Sequence, residues 1–183
     1  MERPLGRRFQ LLVGATASRT EGANANRGFR APENDQGVIG ELFDQPNADT
    51  FARGRLFFDR AYTIKISTTY RAPWDIRIGA VARYQDGQPF SRLVIATDLQ
   101  QGPEAIQAIP NGRFRFTYTL TVDARVEKGF TLGRRRLAAI VELFNLPNND
   151  REVEEIVVSG PLLRSVSAIQ PPRVVRFGLR VDF

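Results

Sequence analysis

The residues best placed to do chemistry are ionisable groups that keep a strict parity with their neighbours. Asp123, Arg125 and Glu127 stand two apart, Arg176 and Arg180 share one parity near the end of the chain, and Lys65, Arg77 and Arg83 sit in similar alternating surroundings. Two carboxylates close together invite general acid–base catalysis. The 183-residue chain, however, contains no histidine and no cysteine. That removes Ser-His-Asp chemistry, thiolate nucleophiles, Cys-ligated zinc and the usual proton shuttle near neutral pH. Only a lysine or carboxylate mechanism stays formally open. We assign no catalytic residue, cofactor or metal ligand, and expect no enzyme. The charged residues read better as one wetted face of a sheet, in which Asp123, Arg125 and Glu127 pair with Arg77, Arg83 or Arg180 of other strands.

The charge itself narrows the classes further. Nearly all of the net charge of +6 comes from arginine, since Lys65 and Lys128 are the only lysines. The arginines are spread along the chain and form one triplet, Arg134 to Arg136, which reads as a charged turn. A basic nucleic-acid-binding surface would cluster them, so no nucleic-acid partner is expected. No apolar run is long enough for a transmembrane helix. The start, Met1-Glu2-Arg3-Pro4, leads into no apolar segment of the signal-peptide kind. For an exported protein this gives the expectation of a piece of a longer chain.

The elements that position these charges alternate with period two, the signature of strands. Six are expected, at about 7–19, 60–71, 75–86, 113–128, 135–145 and 173–183. Phe9, Leu11, Val13, Ala15 and Ala17 share a face in the first; Tyr62, Ile64, Ile66 and Tyr70 in the second; Ile76, Ile78, Ala80, Ala82 and Tyr84 in the third. In the fourth, Phe116, Tyr118, Leu120, Val122, Ala124 and Val126 oppose threonines and then Asp123, Arg125 and Glu127. The fifth alternates more weakly. The sixth sets Val175, Phe177, Leu179, Val181 and Phe183 against Arg176, Gly178, Arg180 and Asp182.

The connections alternate as strictly as the residues. Short turns are expected at Ala72-Pro73-Trp74 and around Gly129 to Arg134, and long connections at 20–59, 87–112 and 146–172. Outer-membrane barrels have short periplasmic turns and long extracellular loops. With Phe183 on the periplasmic side, the two short turns fall on that side without adjustment. Spanning a bilayer takes about 9–11 tilted residues, which each segment supplies. Aromatic residues such as Tyr62, Tyr70, Trp74 and Tyr84 sit near strand ends, where girdles belong. A mid-bilayer charge costs about 2–4 kcal/mol, so the face carrying Asp123, Arg125 and Glu127 is expected to line a lumen or plug. The smallest membrane-spanning barrels have about eight strands. Six therefore form part of a larger one.

Several blocks, in order, resemble the C-terminal barrel of TonB-dependent receptors, and most of all the Oar-like group with its carboxypeptidase-regulatory-like N-terminal domain. They are Gly54-Arg55-Leu56-Phe57-Phe58-Asp59-Arg60, Tyr70-Arg71-Ala72-Pro73-Trp74, Tyr84-Gln85-Asp86-Gly87-Gln88-Pro89-Phe90, Asp123 to Phe130, Val141 to Asn148, and Pro171 to Phe183. The resemblance spans roughly residues 54–183 and rests on order and spacing together. It implies a Gram-negative outer-membrane location, lipid as surroundings, a plug and further strands from the rest of the parent, TonB as the parent's partner, and uptake of a bulky ligand. The family's plug and TonB box are not found in these residues. Val175, Phe177, Leu179, Val181 and Phe183 resemble the terminal signal read by the barrel-assembly machinery. Lys65, Arg77, Arg83, Asp123, Arg125, Glu127, Arg176 and Arg180 are the expected lumen-facing charges.

The expected fold class is all-β, an antiparallel meander of about six transmembrane strands within a larger outer-membrane barrel. The expected function is that of a transporter wall. The alternatives are a barrel piece with an adhesin or scaffold role and no transport, and a soluble basic β-domain.

Overall fold

The computed structural model describes residues 2–4, 8–23, 47, 49–133 and 135–182. Phe183, Arg134 and most of the 20–59 connection lie outside them. Six long strands carry the architecture: β1 (Phe9–Ala17), β2 (Tyr62–Ala72), β3 (Ile76–Gln85), β4 (Thr119–Leu132), β5 (Arg135–Phe144) and β6 (Val174–Asp182). They pair in sequence order, each antiparallel to the next, and the short strand Glu2–Pro4 adds to the free side of β1. No helix occurs among the described residues. The sheet is open, and β6 is paired on one side only among the described residues.

The register gathers the apolar residues into rows. One row runs Phe9, Tyr70, Ile78, Val126, Val141 and Phe177 across all six strands. The next runs Leu11, Thr68, Ala80, Ala124, Leu143 and Val175. Directly opposed residues point to the same side of a sheet. The six strands therefore share one apolar face, whose only charges, Lys128 and Arg135, sit beside the two short turns. A soluble sheet covers such a face with a second layer. Here it is bare: Tyr62 is 60%, Phe177 77% and Leu179 75% exposed.

The buried core lies elsewhere. Phe90, Leu93, Phe116 and Val157 form it, all in the long connections. Phe90 stacks on Phe116 with ring centroids 4.6 Å apart. The long connections carry their own hairpins, pairing Glu21–Ala23 with Arg53–Arg55, Leu93–Ala96 with Glu104–Gln107, and Glu152–Glu155 with Val166–Ile169. This core corrects the expected fourth strand. Phe114–Arg115 pairs with Pro89–Phe90 instead of continuing the long sheet. Phe116 turns into the loop core, so β4 starts at Thr119 and not near 113.

The second short turn is tighter than the sequence suggests, and the first keeps its three residues but is shifted by one, to 73–75. β4 continues through Gly129 to Leu132, and only Gly133 and Arg134 separate the paired residues Leu132 and Arg135. Gly133 has φ of +62°, the left-handed conformation that two-residue hairpin turns require and glycine adopts freely. Between β2 and β3, Trp74 and Asp75 also take positive φ, at 60° and 56°.

Gly87 joins the sheet to the loop core, and a Cβ there would lie 1.7 Å from the Phe116 carbonyl oxygen. Gly87→Ala is expected to lower the unfolding free energy by more than about 2 kcal/mol, as strain in a packed backbone does. Gly14→Ala, where a Cβ meets nothing within 4 Å, should stay within about 0.5 kcal/mol of the parent, as open positions do. Urea unfolding midpoints of the two variants check this.

Candidate functional site

The polar face of the sheet is held by carboxylates that each serve several arginines. The Glu127 side chain, only 7% exposed, accepts hydrogen bonds from Arg125 at 3.0 Å and Arg180 at 2.7 Å, and forms an ion pair with Arg77 at 3.8 Å. Glu142 accepts from Arg125 at 3.2 Å and from Arg176 at 2.6 Å. The register explains this ladder. Arg125 faces Glu142, Glu142 faces Arg176, and Glu127 faces Arg77. Opposite charges directly across a strand pair contribute about 0.2–1 kcal/mol each, and sharing a shielded carboxylate raises the cost of losing any one of them.

Five of the eight expected lumen-facing charges, Arg77, Arg125, Glu127, Arg176 and Arg180, thus come together in one network. Asp123 does not join it, and its Oδ1 instead accepts the backbone N–H of Asn145 at 3.0 Å. The expected pairing of Arg83 with the strand-four acids is not made. Arg83 faces Lys65 on one side and Thr121 on the other. Glu142 was not among the expected charges, because the weak alternation of the fifth strand hid its role. Val175, Phe177, Leu179 and Val181 project onto the opposite, apolar face and are exposed.

A second polar cluster ties down the long connections where they leave the sheet. The Asp59 side chain is fully buried. It receives a close ion pair from Arg115, the backbone N–H of Thr20 at 2.5 Å, and an Arg55 ion pair at 3.7 Å. Arg115 also donates to the carbonyls of Asp59 at 3.1 Å and Gly87 at 3.0 Å. Arg60 donates to the Asp86 carbonyl at 3.2 Å, and burial, with Arg115 nearby, lowers the pKa of its guanidinium. Arg55, Asp59, Arg60, Asp86 and Gly87, quoted above in separate blocks, converge here. The third long connection starts from Asn145 at φ 49°, whose side chain donates to the carbonyls of Asn149 at 2.8 Å and Pro171 at 2.7 Å.

Between the loops and the sheet lies a cavity of about 270 Å³ whose lining includes Arg60, Gln85, Phe116, Glu152 and Gln170. A hydrogen bond from Thr117 holds the Glu152 carboxyl below the usual carboxylate range, against the effect of burial. Burial pushes the nearby Glu155 upward despite Arg164. Below the cavity, on the polar face, is a concavity of about 760 Å³ whose lining includes Leu12, Gly14, Lys65, Arg83 and Thr121. The two share Gln85 and Thr119.

No family model matches the chain, and no curated protein or solved structure matches it at a significant level.

Removing one partner of a buried ion pair leaves an uncompensated charge and costs about 3–5 kcal/mol. Arg115→Met, which strands the buried Asp59, is expected to destabilise by about that amount. The Arg115→Met/Asp59→Leu double variant should recover part of the loss. Chemical denaturation of the three variants in a double-mutant cycle, completed by Asp59→Leu, measures the coupling.

Proposed function

We propose that this chain supplies six adjacent strands to the wall of an outer-membrane β-barrel whose parent is a TonB-dependent transporter of a bulky ligand. One observation carries the reading. An apolar, uncovered face crosses all six strands, with its only charges beside the short turns, while the opposite face holds an ion-paired network. In water, an uncovered apolar face of this extent is unfavourable by about 25 cal/mol per Å². In a bilayer the same face meets hydrocarbon, and the charged face meets a wet interior. The open strand edges fit the same account, because backbone groups at an edge in lipid need partners. Those partners are the remaining strands of the barrel.

The arrangement of connections supports the direction of insertion. Both short turns lie at one end of the sheet and all three long connections at the other. The second and third long connections pack around a core of their own. The TonB-dependent parentage rests on the ordered blocks of residues 54–183. Two of those blocks, 54–60 and 84–90, meet at the loop base through Asp59, Arg60, Asp86 and Gly87.

Two neighbouring substitutions test the reading. Val141 lies on the apolar face and Ile140 on the polar face beside Glu127. In the full-length protein folded into lipid vesicles and followed by heat-modifiable gel mobility, Val141→Arg should cost about 2–4 kcal/mol, as a mid-bilayer arginine does. Ile140→Arg should cost distinctly less, since a charge on the wetted face is not placed in lipid. Equal costs for the two, or a folded monomer that needs no detergent or lipid, would contradict the proposal.

A further inference from the structure

The polar face has a break in its charge pairing. On β3 to β6, Arg77, Arg125, Arg136, Arg176 and Arg180 each have a carboxylate within 4 Å. Arg83 has none among the described residues, and the residue directly opposite it across β2 and β3 is Lys65, which has none either. Like charges facing each other across a strand pair repel. The nearest acid along the same face, Asp123, is engaged with the Asn145 N–H at 3.0 Å. The two cations are exposed into the concavity of about 760 Å³, together with the hydroxyls of Thr119 and Thr121 and the amide of Gln85. An ammonium, a guanidinium, two hydroxyls and an amide are donors that suit an anion. Gln85 and Thr119 also line the cavity at the loop base.

We propose that Lys65 and Arg83 form a binding site for a small solute bearing carboxylate or phosphate groups. The inference rests on the reading of this face as the wall of an aqueous lumen. A carboxylate from the rest of the parent is the competing occupant, and the test separates the two.

The test is calorimetric titration of citrate into the full-length protein, purified from outer membranes in non-ionic detergent at low salt. Heat-modifiable gel mobility is checked first. The expected result is citrate binding that weakens at least about tenfold in Lys65→Gln and in Arg83→Gln. It should be retained in Lys65→Arg and should fall as salt screens the cations. Absence of binding, or variants that bind as tightly as the parent, would overturn the site while leaving the barrel reading intact. Carbodiimide cross-linking of Lys65 to a carboxylate of the same protein, located by mass spectrometry, would overturn it too by identifying an internal occupant. A protein without heat-modifiable mobility would remove the lumen and the site with it.

Discussion

Slipping β4 by a single residue would turn Arg125 and Glu127 onto the apolar face and send Val126 and Ala124 into the ionic network. Strand register is therefore the constraint on which the rest of this structure depends. Several independent features hold it. Gly133 supplies the positive φ for a two-residue turn between β4 and β5. Glu127 and Glu142 accept arginines from neighbouring strands that only the observed register brings opposite them. The apolar rows, such as the one from Phe9 to Phe177, are continuous only in the same alignment. Turn geometry, charge pairing and hydrophobic pattern all select one arrangement, and that agreement is what specifies a single fold.

The division of labour between sheet and connections follows from this. The sheet has no buried apolar layer of its own among the described residues, so its stability depends on hydrogen-bonded neighbours and on what covers each face. The described parts of the connections supply the buried contacts. Phe90, Leu93, Phe116 and Val157 pack together, and the buried Asp59 anchors three segments that are distant in sequence through Thr20, Arg55 and Arg115. The loop base sits over the polar face, and Gln85 and Thr119 line both cavities.

Period-two alternation was legible because one face is apolar apart from Thr68, Lys128 and Arg135, and every residue placed on that face between Thr119 and Leu132 lies there. The pattern misled at Phe116 and Tyr118, which keep the parity of the fourth strand. Phe116 is instead drawn into the loop core by contacts with Phe90, a residue more than twenty positions away that local periodicity does not report. The boundary at Gly129 was misplaced for a related reason. That glycine sits inside β4 close to Asp75, where a Cβ would lie 1.9 Å from a carboxylate oxygen, and not in a turn. Of the charged site, the parity of Asp123, Arg125 and Glu127 was readable. Their partners were not, since Glu142 pairs through register. Asp59 carried no local sign of burial. Phe183, expected to close the last strand, lies outside the described residues; β6 ends at Asp182.

The central claim is that one face of the sheet meets lipid and the other meets water. Single tryptophans placed along β2 test it most directly, with Trp74 replaced by phenylalanine. In vesicles of brominated lipid, tryptophan at Ile64 and Ile66 should be quenched by the bromines and shielded from aqueous iodide. Tryptophan at Lys65 and Ser67 should show the reverse. Quenching that does not alternate along the strand, or iodide access at Ile64 and Ile66 equal to that at Lys65 and Ser67, would contradict the account.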